Sequence, residues 1–229
     1  MDKVEFKSNG AQASGYLARP PGGSGPGVVV VQEWWGVDSG IKEMAERLAA
    51  GGFVALVPDL YHGELAGHDE MDKAGQLMQS LPPDRAARDM SGAVDYLAGH
   101  EAVTGHGLGV IGFCMGGMLT LILAANRPDR ITAAVPFYGF PQGDAEPDWS
   151  GLTASIRGHM AENDDFFTPE AAAALEAKLR AMGKDVTLTV HPGTGHAFMG
   201  PHNAMGTLDE ELAARLWPEV LAFLHQQLD

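Results

Sequence analysis

A single cysteine lies in the segment of this sequence that is best suited to covalent chemistry. The pattern Gly-x-Cys-x-Gly around Cys114 follows an apolar strand and precedes an apolar helix that runs from Met115 to Ala125. Glycines at 112 and 116 allow a strand to reverse sharply into a helix, which is typical of a nucleophile elbow. The thiol would lie at the positive end of the helix dipole, where thiolate is favoured. The alternative is a buried structural cysteine.

An acid and a histidine follow later strands, in the order that a nucleophile, acid and base triad requires. Asp164 and Asp165 come after the predicted strand 155–160, and His196 comes after the predicted strand 186–190. An imidazole takes the thiol proton, and a carboxylate fixes the tautomer of the imidazole. Taken singly, either acid would be a helix cap and His196 a loop histidine. The ordered set favours a catalytic site.

The elements that must position these residues alternate between strands and helices. Segments 4–6 and 12–18 flank Asn9-Gly10, a hairpin turn signal, and are expected to form an antiparallel edge. The remaining predicted strands are 28–31, 54–57, 108–113, 133–137, 155–160 and 186–190, and the predicted helices are 39–50, 84–97, 115–125, 168–182 and 207–228. This alternation predicts an α/β fold with a doubly wound, mostly parallel sheet and helices on both faces. Ligands bind such sheets at the carboxyl ends of the strands.

Segment 59–83 interrupts this alternation, because its apolar residues follow neither a helical nor a strand period. It lies where a loop or short helices would cross the carboxyl edge of the sheet, and we expect it to form a lid or a pocket wall. Its Met71, Leu77 and Met78 are interpreted as core residues rather than substrate contacts.

Composition limits what the thiol can do. A chain of 229 residues with 45% hydrophobic content is expected to form one domain over residues 1–229. One cysteine excludes an internal disulfide, and without a signal-peptide pattern or a membrane-spanning apolar run the expected location is the cytoplasm. The net charge of −15 disfavours nucleic acid and membrane surfaces as partners. A small molecule remains as the partner, and a monomer is compatible with the sequence.

Metal and nucleotide sites are weaker interpretations. His191, His196 and His202 lie in a short window, but their spacing follows no recognised ligand pattern. The glycines of 105–109 do not lead into a helix as phosphate-binding loops do. We therefore predict neither a metal nor a cofactor.

Four ordered blocks resemble the dienelactone hydrolase family of the α/β-hydrolase fold, and the likeness covers nearly the whole chain. The blocks are Gln32-Glu33-Trp34-Trp35-Gly36, Gly112-Phe113-Cys114-Met115-Gly116-Gly117, Asp165-Phe166-Phe167-Thr168-Pro169 and Gly195-His196-Ala197-Phe198. The resemblance implies that Cys114 is the nucleophile, that His196 is the base and that Asp165 is the acid, because of its spacing before Pro169. Asp164 is the weaker choice for the acid.

Glu33 matches a family residue that holds the resting thiol and receives its proton when substrate binds. The charges agree with this role, since a carboxylate close to sulfur disfavours a second negative charge. The fold also implies an oxyanion hole made of the backbone amides of Trp34 and Met115.

The sequence departs from the family where two arginines would grip a substrate carboxylate. Gly200 occupies the first position, and the second falls near Met71, with no arginine between Tyr61 and Asp84. Neutral esters or lactones are therefore expected to be preferred. The apolar walls of the pocket are expected to come from Trp34, Trp35, Phe198 and Met199.

These observations predict a hydrolase of small esters or lactones, similar to carboxymethylenebutenolidase, that acts through an acyl-cysteine intermediate. An acyltransferase would pass the same thioester to an acceptor other than water. A catalytically idle α/β-hydrolase that only binds a ligand is the third interpretation.

Overall fold

An eight-stranded sheet forms the centre of the protein in the computed structural model, which describes residues 1–8 and 10–229. The strands lie in the order β1-β2-β4-β3-β5-β6-β7-β8, and all neighbouring pairs from β4 to β8 are parallel. Their bounds are β1 Asp2–Ser8, β2 Ala11–Ala18, β3 Gly25–Val31, β4 Val54–Pro58, β5 Val103–Phe113, β6 Ile131–Phe137, β7 Ser155–Asn163 and β8 Val186–Gly195. The predicted α/β class and mostly parallel sheet are confirmed.

Helices cover both faces of this sheet. Their bounds are α1 Ser39–Ala50, α2 Met71–Ser80, α3 Pro83–Ala98, α4 Met115–Asn126, α5 Pro169–Ala181 and α6 Glu210–Leu228. One apolar layer packs α3, α4 and α5 against the sheet, and the other packs α1 and α6 against its opposite face. The strand β3 is buried along its whole length because both layers cover it, which explains its run of valines.

The first two strands form the predicted antiparallel edge. β1 pairs with β2 in the register that sets Asp2 opposite Leu17, and β2 pairs antiparallel with β4. Asn9 of the predicted turn lies outside the described residues.

Segment 59–83 contains a helix that its periodicity does not predict. Of the ten residues of α2, only Ala74 is buried, because the helix stands at the edge of a cavity rather than on the core. Its apolar residues Met71 and Met78 therefore face the cavity instead of the core. Within residues 1–8 and 10–229, the structure contains no helix with the length and apolarity required to traverse a bilayer.

Candidate active site

Cys114 lies at the tip of a strained turn between β5 and α4. Its backbone has φ 54° and ψ −120°, a conformation that L residues rarely adopt. A Cβ at Gly112 would come within 2.2 Å of the Gly116 carbonyl oxygen, and a Cβ at Gly116 within 2.4 Å of the Val31 carbonyl oxygen. Glycine is required at both positions, and the half-buried thiol is lifted to the carboxyl edge of the sheet.

His196 is held by a carboxylate, and that carboxylate belongs to Asp164. His196 Nδ1 lies 2.7 Å from Asp164 Oδ2, and the Asp164 side chain is fully buried. The other Asp164 oxygen accepts the backbone N–H groups of Phe166 at 2.9 Å and Phe167 at 3.0 Å. The sequence-based choice of Asp165 as the acid is wrong, because the Asp165 side chain is exposed, whereas the Asp164 side chain is buried and contacts His196.

The Asp164 contact fixes the chemistry of the imidazole. An ionised carboxylate only accepts hydrogen bonds, so Nδ1 of His196 carries the proton. In the neutral ring Nε2 is then unprotonated and able to act as a base. Phe167 stacks on the His196 ring with a centroid separation of 5.9 Å, and Tyr138 meets it edge-on at 5.3 Å. The imidazole is therefore oriented by both a hydrogen bond and packing.

The resting thiol of Cys114 is protonated. Burial raises its pKa well above the ordinary value, and the negative charges of Glu33 and Asp164 raise it further. The Met115 N–H acts in the opposite direction, but it does not compensate for these effects. The helix dipole that favours thiolate is thus outweighed. No hydrogen bond joins the Cys114 sulfur to His196 in the described part of the chain.

Glu33 lies beside this thiol and is engaged by His202. Glu33 Oε2 is 3.1 Å from His202 Nε2, and both side chains are almost fully buried. Burial lowers the pKa of His202, but the hydrogen bond and charge of Glu33 and the charge of Asp38 raise it more, so it lies above its ordinary value. The Glu33 carboxylate is therefore fixed by its hydrogen bond with His202.

Asp38, His68 and His202 bring potential metal-ligand atoms within 4.8 Å of one another. His68 Nε2 lies 2.6 Å from Asp38 Oδ2, and the rings of His68 and His202 stack with centroids 3.8 Å apart and planes at 30°. The in-plane lone pairs of nearly parallel rings do not converge on one ion. This geometry favours a hydrogen-bonded stack over a metal centre. The earlier set of three histidines does not assemble either, since His191 pairs with His159 at 3.0 Å.

Two backbone amides are free to receive an oxyanion. Among the described residues, the Trp34 N–H has no hydrogen-bond partner, and the Met115 N–H interacts only with the Cys114 sulfur. Met115 N–H faces the Cys114 sulfur, as its effect on the thiol pKa indicates. Both residues line the cavity above Cys114. Their positions are compatible with the predicted oxyanion hole.

The cavity at Cys114 is large and apolar, with a volume of about 410 Å³. Five methionines, two tryptophans and two phenylalanines line it, with Glu33, His196 and His202 as its ionisable groups besides the thiol. No lysine or arginine is among its lining residues in the described chain. The apolar lining consists of Trp34, Trp35, Met71, Met78, Met115, Met118, Phe166, Phe167, Ala197 and Met205.

The predicted pocket walls are partly wrong. Trp34 and Trp35 line the cavity, whereas Phe198 and Met199 do not. Phe198 is fully buried in the core, 5.2 Å from the Tyr138 ring by centroids, and Met199 is buried in the same apolar layer. Both follow His196 in the chain, but the backbone turns back into the core there, with Ala197 at φ 65°.

Other lining residues were not predicted from the sequence. Met71 and Met78 are exposed on α2 and line the cavity, although they were expected to be core residues. Their separation of seven residues, two helical turns, was the available signal for a shared face. No sequence pattern predicted the contact of His202 with Glu33 and His68, since both partners are distant in the chain.

Comparisons with known proteins agree with this architecture. The sequence model described as the dienelactone hydrolase family matches residues 13–228. "Protein usf" of Aquifex pyrophilus is 37% identical over 98% of both chains. A Bradyrhizobium protein named "Probable 2-oxo-3-(5-oxofuran-2-ylidene)propanoate lactonase" is 31% identical over 100% of this chain and 95% of its own.

Among solved structures, a dienelactone hydrolase-like promiscuous phosphotriesterase from metagenomic libraries superposes with a TM-score of 0.85. It is 25% identical and covers 100% of this chain and 98% of its own. The family match over residues 13–228 and the end-to-end relatives lead to one conclusion: this chain belongs to the dienelactone hydrolase family and is an ester or lactone hydrolase with the α/β-hydrolase fold.

Proposed function

We propose that this protein hydrolyses neutral, small to medium esters or lactones through an acyl-cysteine intermediate on Cys114. The observation that carries the proposal is that His196, which Asp164 orients, lines the same apolar cavity as Cys114. Within the described residues, no lysine or arginine lines this cavity. A nucleophile, a base and a group that orients the base are the parts that covalent acyl transfer needs.

In the acylation step, substrate binding leads the thiol of Cys114 to give its proton to Glu33. The thiolate attacks the carbonyl carbon, and the resulting oxyanion accepts hydrogen bonds from the Trp34 and Met115 amides. The carbon–oxygen bond of the ester then breaks, and the departing alkoxide takes up the proton from Glu33. The products of this step are the free alcohol and a thioester on Cys114.

In the deacylation step, His196 Nε2 takes a proton from water as the water oxygen attacks the thioester carbonyl. The imidazolium that forms is stabilised by the buried Asp164 carboxylate. Collapse of the tetrahedral intermediate breaks the carbon–sulfur bond, and the thiolate recovers its proton from His196. The acid leaves and the resting thiol is restored.

The cavity supports a neutral substrate. Glu33 is a negative charge at the wall of a mostly apolar space, so a substrate carboxylate would be repelled and would lose its hydration without gaining a cationic partner. Methionine side chains adapt to different shapes, and five of them suit a range of acyl and alcohol groups. The volume of about 410 Å³ lies within the range of pockets that bind drug-sized molecules.

The test compares p-nitrophenyl butyrate with mono-p-nitrophenyl succinate, which has a carboxylate where the butyrate chain ends. We expect kcat/KM to favour the neutral ester by roughly tenfold or more, about 1.4 kcal/mol of transition-state binding. A preference for the succinate would overturn the neutral-substrate proposal. Product analysis with added alcohols and thiols separates hydrolysis from acyl transfer. The absence of both turnover and an acyl group on Cys114 after exposure to the ester would indicate a ligand-binding protein.

Neutral phosphate triesters are a second substrate class for the same cavity. The relevant observation is again the apolar lining without lysine or arginine in the described residues, and the structural relative named above is called a promiscuous phosphotriesterase. Release of p-nitrophenolate from diethyl p-nitrophenyl phosphate, abolished in Cys114→Ala, would support this activity. No release above the rate of Cys114→Ala would exclude it.

A further inference from the structure

The carboxylate of Glu33 has two oxygens in different environments. Oε2 is hydrogen-bonded to His202, whereas Oε1 has no hydrogen-bond partner among the described residues. Glu33 and Cys114 line the same cavity, and the charge of Glu33 raises the pKa of the thiol. The position of one oxygen is therefore fixed while the other is available to the thiol proton.

The tautomer of His202 explains how Glu33 is held. The backbone N–H of Ala204 donates to His202 Nδ1 at 3.1 Å. Nδ1 is then the unprotonated nitrogen of the neutral ring, and Nε2–H is left to donate to Glu33 Oε2. The hydrogen bond from the Ala204 N–H thus fixes the tautomer of His202 in which Nε2–H donates to the Glu33 carboxylate.

The ring of His202 is itself fixed by groups from other parts of the chain. His68 stacks on it, and the Asp38 carboxylate holds the edge of His68. Trp35 meets the His202 ring edge-on with centroids 6.1 Å apart and the His68 ring edge-on at 5.2 Å. Asp38 is also the cap of α1, since its other oxygen accepts the N–H of Ile41. The stack therefore connects α1 and segment 59–83 to the carboxylate beside the nucleophile.

We propose that His202 is a positioning residue that holds the Glu33 carboxylate in the orientation from which it receives the thiol proton, with His68 and Asp38 holding His202. This role rests on the proposed function, because it matters only if Cys114 must lose a proton during catalysis. His202 acts through Glu33 and does not need to contact the reacting atoms.

The main experiment is a double-mutant cycle between the two residues. His202→Phe keeps an aromatic ring in the stack but removes the donor, and Glu33→Gln removes the charged acceptor. With p-nitrophenyl butyrate we expect kcat to fall about 10-fold in His202→Phe and about 100-fold in Glu33→Gln, with KM changed by less than about threefold. The double variant should be no slower than Glu33→Gln, because His202 has no effect without the carboxylate. A loss of about 1000-fold in the double variant would overturn the proposal.

Two further variants separate the donor from general packing. Gln places an amide N–H near the position of Nε2, so His202→Gln should recover kcat to within about threefold of the wild type. His106→Gln is the matched control, because His106 is exposed and lies at the amino end of β5, away from the carboxyl edge of the sheet. Equal losses in His202→Gln and His202→Phe, with unchanged thermal unfolding, would show that no donor is needed and would refute the positioning role.

A measurement without turnover makes this inference independent of the substrate. In His202→Phe the Glu33 charge is no longer shared with a donor, so iodoacetamide should label Cys114 several-fold more slowly at neutral pH. The same substitution in the Glu33→Gln background should leave the labelling rate unchanged. If the wild type hydrolyses no ester but the labelling cycle gives this result, the proposed function fails and the positioning role of His202 stands. If esters are hydrolysed and labelling is equal in all backgrounds, the positioning role fails alone.

Discussion

Replacement of Asp164 by asparagine tests the assignment of the acid, and Asp165→Asn provides a matched control one residue away. In Asp164→Asn, the amide oxygen of the new side chain can still accept the N–H groups of Phe166 and Phe167, so the turn should survive. The charge that stabilises the His196 imidazolium is lost. For charge centres roughly 4 Å apart at an effective dielectric constant of about 20, that loss is about 4 kcal/mol, or roughly 1000-fold in rate.

A second effect acts in the same direction. The amide N–H₂ group introduced by Asp164→Asn would face His196 Nδ1 and drive the ring proton to Nε2, where the base must be unprotonated. The assay is kcat/KM for p-nitrophenyl butyrate, together with the thermal midpoint as a check on folding. We expect about 1000-fold loss in Asp164→Asn and less than about twofold change in Asp165→Asn. A large loss in Asp165→Asn with an active Asp164→Asn would refute the geometric assignment.

Three further predictions concern charge. Glu33→Gln removes a charge that raises the Cys114 pKa, so iodoacetamide labelling at pH 7 should become faster while ester turnover falls; unchanged values for both would leave Glu33 with a structural role only. Met71→Arg adds a cation to the cavity wall. At roughly 8 Å and an effective dielectric constant of about 40, its attraction to the substrate carboxylate is about 1 kcal/mol, so kcat/KM should shift toward the succinate ester about fivefold. Met71→Leu is the control. Burial and His191 lower the His159 pKa to about 3, so the unfolded chain binds more protons below pH 6.5. The contribution of His159 to the free energy of unfolding should therefore fall by up to about 2 kcal/mol from pH 6.5 to 5, and His159→Gln should remove that contribution from the pH dependence measured in urea titrations.

The fold and the strand-to-helix turn at Cys114 were predictable because their signals are local. A run of valines in β3 identifies a strand buried on both faces, and glycines on either side of Cys114 identify a strand-to-helix turn. Such features depend on neighbours within a few residues. The order of Cys114, acid and His196 then follows from the topology, which brings the carboxyl ends of parallel strands to one edge.

The choice between Asp164 and Asp165 depends on finer geometry. Both acids follow β7, and their spacing before Pro169 favours Asp165 by resemblance alone. The structure turns Asp164 inward because the N–H groups of Phe166 and Phe167 converge on its carboxylate. A single-residue difference of this kind depends on backbone dihedral angles that the residue types do not specify.

Long-range contacts account for what the sequence did not reveal. His202 meets Glu33 from 169 positions away, and no spacing rule connects them. α2 lies at the rim of a cavity, so its apolar residues Met71 and Met78 face that cavity rather than the core. Phe198 and Met199 looked like pocket walls because they follow His196, but a turn with positive φ at Ala197 returns the chain to the core.

The central claim is that an acyl group is carried by Cys114, and quenched-flow mass spectrometry measures it directly. His196→Ala should slow deacylation more than acylation, so the intact protein should gain the mass of one butyryl group after mixing with p-nitrophenyl butyrate. Peptide mapping should place that group on Cys114, and Cys114→Ala should show neither the mass gain nor turnover, with an unchanged thermal midpoint. Turnover by Cys114→Ala near the wild-type rate, or a butyryl group on another residue, would contradict the mechanism.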